Sequence, residues 1–253
     1  MSEIDVPESH PRYLSLLTRH RIEAGVEKGI TSKQGLIAEG RGEAFDYLLG
    51  ERTTDSADEA ERAAAALLLL AERPVLSING NVAALVPGEM LELAAAVDAA
   101  VEVNLFNRTD ERMRAITEHL REHGAEAAGI EIKGLTADAR IPGLEHERAK
   151  VDADGIGAAD VVLVPLEDGD RAEALAAMGK SEIVIDLNPL SRSAQTAAIP
   201  IIDNIIRAVP NITDHAESLR GRSREDLEAI VADFDPEAAL KAAEATIRGG
   251  DLE

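Results

Sequence analysis

The chain has 253 residues and no composition break, a length that suits one domain or a core with a small appendage. Its 48 acidic residues outnumber 26 basic ones, and the resulting net charge of −22 would repel DNA, RNA and anionic membrane surfaces. There is no cysteine, which excludes disulfides, thiolate chemistry and Cys-ligated zinc or iron–sulfur sites.

The longest uninterrupted apolar run, 63–71, is far too short for a membrane span, and no basic segment followed by an apolar stretch opens the chain. A cytoplasmic protein is expected. Only six basic residues are Lys, and acid excess with scarce lysine suggests adaptation to high salt, where a short Debye length damps self-repulsion.

Residues 11–28 predict an amphipathic helix, with Leu14, Leu17, Ile22 and Val26 roughly on one face. A glycine-punctuated turn through Gly40 and Gly42 leads into a second helix ending near Gly50. Ser56, with Glu59 three residues on, predicts a capped Ala/Leu-rich helix to about residue 73. Strands and helices then alternate. A strand over 75–78 precedes a helix over 87–97 that begins with proline, and a strand over 100–105 precedes a helix over 109–123 capped by Thr109. A weaker strand near 128–132 is followed by a long irregular segment, 133–159, of the length that loops with a function often have. The clearest strand, 160–166, leads to a helix over 171–178, strands over 182–187 and 199–202, and a helix from about 203. From Ser223 two polar helices follow, the second opened by Asp235-Pro236. Repeated βα units predict a Rossmann-like, doubly wound parallel sheet. It occupies 74–215 of a single domain, between an N-terminal helical segment (1–55) and a C-terminal helical tail (216–253).

Ligands of an open α/β sheet bind beyond the carboxyl ends of its strands. The run Ile183-Val184-Ile185 ends in Asp186-Leu187-Asn188-Pro189-Leu190-Ser191-Arg192-Ser193, which offers acceptors for ribose or adenine and donors for phosphate, though a polar βα turn has the same composition. Asn79-Gly80-Asn81 follows another strand and reads either as a plain turn or as a docking point for a small ligand. Arg41 between two glycines could clamp a phosphate. His146, in the long loop, reads as a proton carrier, a phosphate ligand or an exposed histidine. Glu167-Asp168-Gly169-Asp170 could hold Mg²⁺, but serves more simply as a helix cap and first turn. No residue is assigned as a metal ligand.

Some motifs mislead. Gly179-Lys180-Ser181 looks like the end of a phosphate loop, but Ala174 stands where glycine is needed, and helix precedes strand. Gly40-Arg41-Gly42 followed by Phe45 lacks the small residue of a dinucleotide fingerprint. Glu145-His146-Glu147 has Lys150 where a zinc-peptidase motif requires histidine.

Several words together carry a resemblance. They are Pro11-Arg12-Tyr13 with Ser15-Leu16, Gly35-Leu36-Ile37-Ala38 running into Gly40-Arg41-Gly42-Glu43-Ala44-Phe45-Asp46-Tyr47-Leu48, and Ser77-Ile78-Asn79-Gly80-Asn81. Val103-Asn104-Leu105-Phe106, Ile141-Pro142-Gly143-Leu144-Glu145-His146-Glu147-Arg148, Val164-Pro165-Leu166-Glu167-Asp168-Gly169-Asp170-Arg171, the 186–193 loop and Asp203-Asn204-Ile205 continue them. In this order, over about residues 10–210, the chain resembles the archaeal-type phosphopantothenate synthetases, or 4-phosphopantoate–β-alanine ligases. It departs from their pattern at Glu39, where relatives often carry a basic residue or histidine, and around 130–136.

The resemblance implies a Rossmann-like homodimer that joins 4-phosphopantoate to β-alanine with ATP and Mg²⁺. The products would be 4′-phosphopantothenate, AMP and diphosphate, formed through an acyl-adenylate in coenzyme A biosynthesis. It places Arg19, Arg41, Asp186, Leu187, Asn188, Arg192, Ser193, Asn204 and Ile205 at the nucleotide. It makes Asn79 and His146 candidates for phosphopantoate or the reacting centre.

Overall fold

The computed structural model describes residues 6–249 apart from Glu8, Pro11 and Glu167. Pro11 of the first matching word and Glu167 of the acidic word therefore lie outside the described residues. The chain opens with α1 (Tyr13–Glu27), α2 (Lys33–Leu49) and α3 (Asp55–Leu70). It continues through β1 (Pro74–Ile78), α4 (Gly80–Leu85), α5 (Pro87–Val97), β2 (Ala100–Val103), α6 (Asp110–Glu122) and β3 (Ile132–Lys133). A small excursion holds β4 (Ala139–Arg140) and β5 (Lys150–Val151). Then come β6 (Val161–Pro165), α7 (Gly169–Ala177), β7 (Ser181–Asp186), α8 (Arg192–Thr196), β8 (Ile199–Ile202), α9 (Ile205–Leu219), α10 (Arg224–Asp233) and α11 (Pro236–Arg248).

Six strands form one parallel sheet in the order β3-β2-β1-β6-β7-β8, the doubly wound arrangement expected from the sequence. β1 and β6 are buried along their whole length, which is why they read as continuous apolar runs. Alternate residues serve opposite faces. Leu76 and Ile78 join the core made with α3, α5, α6 and α9, whereas Val75, Val162 and Val164 pack with Ile141, Leu144, Val151, Ile156 and Leu175. The second face is thus covered largely by the excursion between β3 and β6. That segment is not wholly irregular, because β4 and β5 pair antiparallel with Ala139 opposite Val151.

Other expectations shift for identifiable reasons. Gly40 and Gly42 lie inside α2 and form no turn. Tertiary packing overrides the glycine penalty of about 1 kcal/mol, because a Cβ on Gly42 would sit 3.2 Å from Asn204 Nδ2. On Gly35 it would sit 2.3 Å from Asn81 Oδ1. α2 therefore crosses the end of the sheet closer than a helix with side chains there could. The cap of α3 is Thr54, whose hydroxyl accepts from the Ala57 amide at 3.3 Å, and not Ser56. β3 begins later than predicted, since 124–129 is consumed by turns that need positive φ at Gly124 and Gly129. The helices α4 and α8 are too short to show a period and were not expected. Tail helices α10 and α11 fall where the Ser223 and Asp235-Pro236 signals put them. No helix among the described residues is long and apolar enough to cross a membrane.

The excursion is anchored by Glu102, a fully buried carboxylate on β2. It accepts from the amides of Ile156 at 2.7 Å and Asp152 at 3.2 Å. Burial lifts its carboxyl to about 7, against the pull of those two amides. A glutamate whose folded value lies above its ordinary 4.5 contributes stability that is complete below 4.5 and is lost as pH rises through about 7. The Glu102 contribution is therefore expected to fall by about 3 kcal/mol across that window. Chemical denaturation from pH 4.5 to 8 should show a steeper loss in the parent than in Glu102→Gln. Parallel profiles would mean that Glu102 titrates normally.

Candidate active site

The strand order reverses between β1 and β6, so the carboxyl ends of these neighbours diverge into different loops and leave a crevice. Asn79 spans it. Its Oδ1 accepts from the Asn81 and Val82 amides at 3.0 and 3.1 Å, capping α4, while its Nδ2 donates to the Pro165 carbonyl at 3.0 Å. Asn79 is thus a fastener of the crevice. Asn81 in turn donates to the Gly35 carbonyl at 2.9 Å, tying α2 across the opening.

Two adjoining cavities occupy this end of the sheet. A narrow one is lined by Ala38, Glu39 and Gly42 of α2, by Asp186 and Leu187, and by Asn204 and Ile205. A wider one of about 330 Å³ is lined by Arg41, Asn79, Asn81, Phe106, Arg112, Arg148 and Asp168, among others. Ala38 and Leu166 border both.

The loop after β7 is tightly self-bonded. Asp186 Oδ1 accepts from the amides of Leu187 and Asn188, and its Oδ2 accepts from Ser191 Oγ at 2.6 Å. Asn188 Oδ1 accepts from the Leu190 amide at 3.0 Å, and Ser191 caps α8. Asp186 consequently holds the loop's shape, and Asn188 is exposed but lines neither cavity. Ser193 is buried in α8.

α2 is held over these loops by a buried charge cluster. Arg207 Nη2 donates to Asp46 at 2.7 Å and to Asp203 at 2.6 Å, and Asn204 Nδ2 donates to Asp46 Oδ2 at 3.0 Å. Burial opposes the Arg207 charge, but its bonds to the two aspartates outweigh that and raise its pKa. Asn204 also caps α9 and Ile205 is that helix's first residue, so the Asp203-Asn204-Ile205 word is a helix start pinned to α2. Burial first, then the Glu43 charge, hold the Glu39 carboxyl above its ordinary range.

Not all predicted residues meet here. Arg41 lines the wider cavity from an exposed position on α2. Arg19, on α1, is bound to Glu43, which also takes Arg12 and Tyr47. Arg192 donates to Asp170 at 2.7 Å and Glu173 at 3.3 Å. Neither Arg19 nor Arg192 lines either cavity. His146 approaches the wider cavity, with Nε2 3.7 Å from Asp168 Oδ1 and its ring centroid 5.4 Å from that of Phe106. Asp168 caps α7 by accepting from the Arg171 amide and pairs with Arg148 Nη1 at 3.1 Å. The capping role read from the acidic word is therefore present.

A model of the phosphopantothenate/pantothenate synthetase family matches residues 56–250. The 4-phosphopantoate–β-alanine ligase of Thermococcus kodakarensis is 60% identical over 232 residues, 92% of this chain and 88% of its own length. The protein of the same name from Methanosarcina mazei is 53% identical over 239 residues, 94% of this chain and 92% of its own. The chain belongs to the phosphopantothenate/pantothenate synthetase family.

Within this family member, two cavity arginines escaped the sequence reading. Arg112 sits in the first turn of a highly charged helix and looks like surface there, yet its guanidinium is half-buried and donates to the Ile30 carbonyl at 2.9 Å and the Asn107 carbonyl at 2.5 Å. Arg148 stands two residues beyond His146 in one of the matching words, and it is buried. Lys180 of the phosphate-loop decoy donates to the carbonyls of Gly157 and Ala159 at 3.0 and 2.7 Å, so it fastens the excursion and not a nucleotide.

Asp46→Ala would strand Arg207 and Asn204 in a buried site. A loss of about 3 kcal/mol of stability is expected, near the low end for breaking a buried ion pair because Asp203 remains. Urea unfolding of the variant would measure it. A loss below about 1 kcal/mol would place the cluster with surface pairs.

Proposed function

We propose that the chain joins 4-phosphopantoate to β-alanine at the expense of ATP, in the crevice between β1 and β6. The observation that carries the reading is the convergence of Arg41, Arg112 and Arg148 on a cavity that adjoins the loops holding Asp186, Leu187, Asn204 and Ile205. The net charge of the chain is −22, so three guanidiniums gathered at one opening mark the place where anions are accepted. Family membership, and relatives that carry the ligase name over nearly their whole length, supply the reaction.

In this reading the nucleoside end of ATP lies along the narrow cavity, against the 186–188 loop and the start of α9. Its phosphates extend toward Arg41. Arg192 reaches the phosphates by exchanging its exposed partner Asp170 for phosphate oxygens, a swap that costs little because exposed pairs are worth about 0–1 kcal/mol, whereas Arg19 must give up the partly buried Glu43 carboxylate to do the same. Arg112 and Arg148 hold the phosphate of 4-phosphopantoate. Two anions are thereby brought into contact, and the guanidiniums offset their repulsion.

A phosphopantoate carboxylate oxygen attacks the α-phosphorus, the O–P bond forms and diphosphate leaves, giving an acyl-adenylate. The β-alanine amine then attacks the carbonyl carbon, the C–N bond forms, the C–O bond to AMP breaks, and the amine sheds a proton. His146, beside Asp168 and against Phe106, is the group we assign to accept that proton. Asn79 keeps the crevice in register and acts by positioning. Mg²⁺ suits this site because Asp168 borders the cavity as an oxygen donor, and the ion would neutralise phosphate charge.

The chain works as a homodimer in this reading. Ile37, Ala44 and Leu48 form a stripe at helical spacing on the outer face of α2 beside exposed Tyr47, and Leu14 of α1 is exposed as well. A second copy of the chain is the occupant we assign to that face. Light scattering should give twice the chain mass, and Ile37→Asp with Leu48→Asp should give monomers. A parent monomer would remove the assignment.

Product analysis should find 4′-phosphopantothenate, AMP and diphosphate only when ATP, phosphopantoate and β-alanine are all present. ADP with orthophosphate would replace the adenylate by an acyl-phosphate. Arg112→Gln and Arg148→Gln each remove charge-assisted bonds worth roughly 1.5–3 kcal/mol. About a 10- to 100-fold rise in KM for phosphopantoate is expected, with KM for ATP little changed. Equal effects on both substrates would mean that these arginines serve the nucleotide.

A further inference from the structure

Away from the crevice, α3 and α9 bring Asp58, Glu61 and His215 together, with one ligand-capable atom of each within 4.8 Å of the others. Asp58 and Glu61 are three apart on α3 and so share a helix face. Glu61 is fully buried, and it is only half satisfied. Its Oε2 accepts from Asn211 Nδ2 at 3.0 Å, whereas its Oε1 has no hydrogen-bond partner. His215 Nε2 lies 2.9 Å from Asp58 Oδ1.

We propose that Asp58, Glu61 and His215 form a binding site for one divalent first-row transition-metal ion that clamps α3 to α9. A buried carboxylate needs a compensating positive charge or a proton. Arg207, the nearby guanidinium, bonds Asp203 and Asp46 through Nε and Nη2 and leaves Nη1 without a partner, so it makes no hydrogen bond to Glu61 Oε1 and offsets the Glu61 charge only from a distance. Burial, with Asp203 and Asp58 adding to it, pushes the Glu61 carboxyl up to about 8, although Asn211 opposes the shift. A lone anion is thus unfavourable at this position. Two carboxylates and an imidazole are a donor set for Zn²⁺, Co²⁺ or Mn²⁺ with water completing the shell, and the imidazole disfavours Ca²⁺ and Mg²⁺, which seek oxygen. Asp58 is exposed and gives an ion its way in.

The surroundings supply outer-sphere support of the kind metal ligands need. Asn211 Nδ2 donates to Thr53 Oγ1 at 3.0 Å as well as to Glu61, and Thr53 donates to Asp203 Oδ2 at 2.6 Å. Asp203 belongs to the cluster that seats α2. A metal ion here would therefore brace the crevice from behind without touching substrate.

Metal-stripped full-length protein, free of nucleotide, is titrated with Co²⁺ and followed by visible absorption, with competition by Zn²⁺ and Ca²⁺. A single Co²⁺ per chain, displaced by Zn²⁺ and not by Ca²⁺, is expected. Glu61→Gln and His215→Gln should each weaken Co²⁺ binding by about 100-fold or more, since even outer-sphere partners contribute about 10- to 100-fold. Ligase turnover with Mg²⁺ should persist in both. The parent alone provides a second readout, because Zn²⁺ should shift the His215 ring resonances in NMR. No Co²⁺ or Zn²⁺ binding by the parent would show that Glu61 is neutralised by a proton only. That result, binding unaltered in both variants, or His215 resonances that ignore bound Zn²⁺ would overturn the site.

Discussion

The crevice depends on the ion cluster of Asp46, Arg207 and Asp203. Helix α2 has no strand to continue and no long apolar stripe to bury. Its small residues allow close approach, and Asp46 supplies the specific anchor. The apolar contribution of α2 is limited to Phe45 and Leu49, which pack with Ala194, Ile202 and Ala243, and the ion cluster adds direction to that contact. Buried ion clusters are weak sources of stability because desolvation consumes most of the Coulombic gain, but breaking one is costly. Such a cluster therefore fixes geometry more than it adds free energy. Here it fixes the spacing between Gly42 on α2 and Asn204 and Leu187, which line the narrow cavity with it.

The same economy explains the distribution of charge. The chain carries a large acid excess, yet the arginines of the crevice keep their charge exposed to it or are held by carbonyl oxygens, as Arg112 is. A carbonyl positions a guanidinium without neutralising it. Arg148 is different, since Asp168 already pairs with it, and in the proposed reading the phosphate of 4-phosphopantoate would compete with that carboxylate. Cation and carboxylate of that pair both border the cavity.

The strand succession was legible because buried parallel strands are short apolar runs closed by turn residues, whereas their order across the sheet is read from the structure. Asp186 and Leu187 and the 204–205 helix start were legible as strand ends, and they line one cavity as a strand-end argument requires, whereas Asn188 lines neither cavity. Gly40 and Gly42 were misread because sequence shows that a side chain is missing, not whether the backbone or a neighbour demands its absence. Arg112 was invisible for a similar reason. Its helix has the charge pattern of a solvated surface, and only the tertiary path of the Ile30 segment buries that face. Glu61 sits in an Ala/Leu-rich helix, and nothing local announces that it faces His215, more than a hundred residues away in sequence.

The excursion between β3 and β6 shows how fold and site are joined. A doubly wound sheet needs both faces covered, and on one of them this chain uses α7 together with a loop-rich segment of small apolar residues. A loop can do that only if its backbone polar groups are satisfied, which is the task of Glu102, Asp152 and Lys180. Because the covering element is a loop, it can turn back toward the carboxyl ends of the strands, which a helix running the length of the sheet could not do. That turn is where His146 and Arg148 lie. Asn104, at the end of β2, donates to the carbonyls of Arg148 and Lys150 at 3.3 and 3.0 Å and so locks the turn to the sheet. The segment that closes the core is thus also the segment that brings His146 and Arg148 to the crevice, and a change that loosens its packing must also displace those side chains.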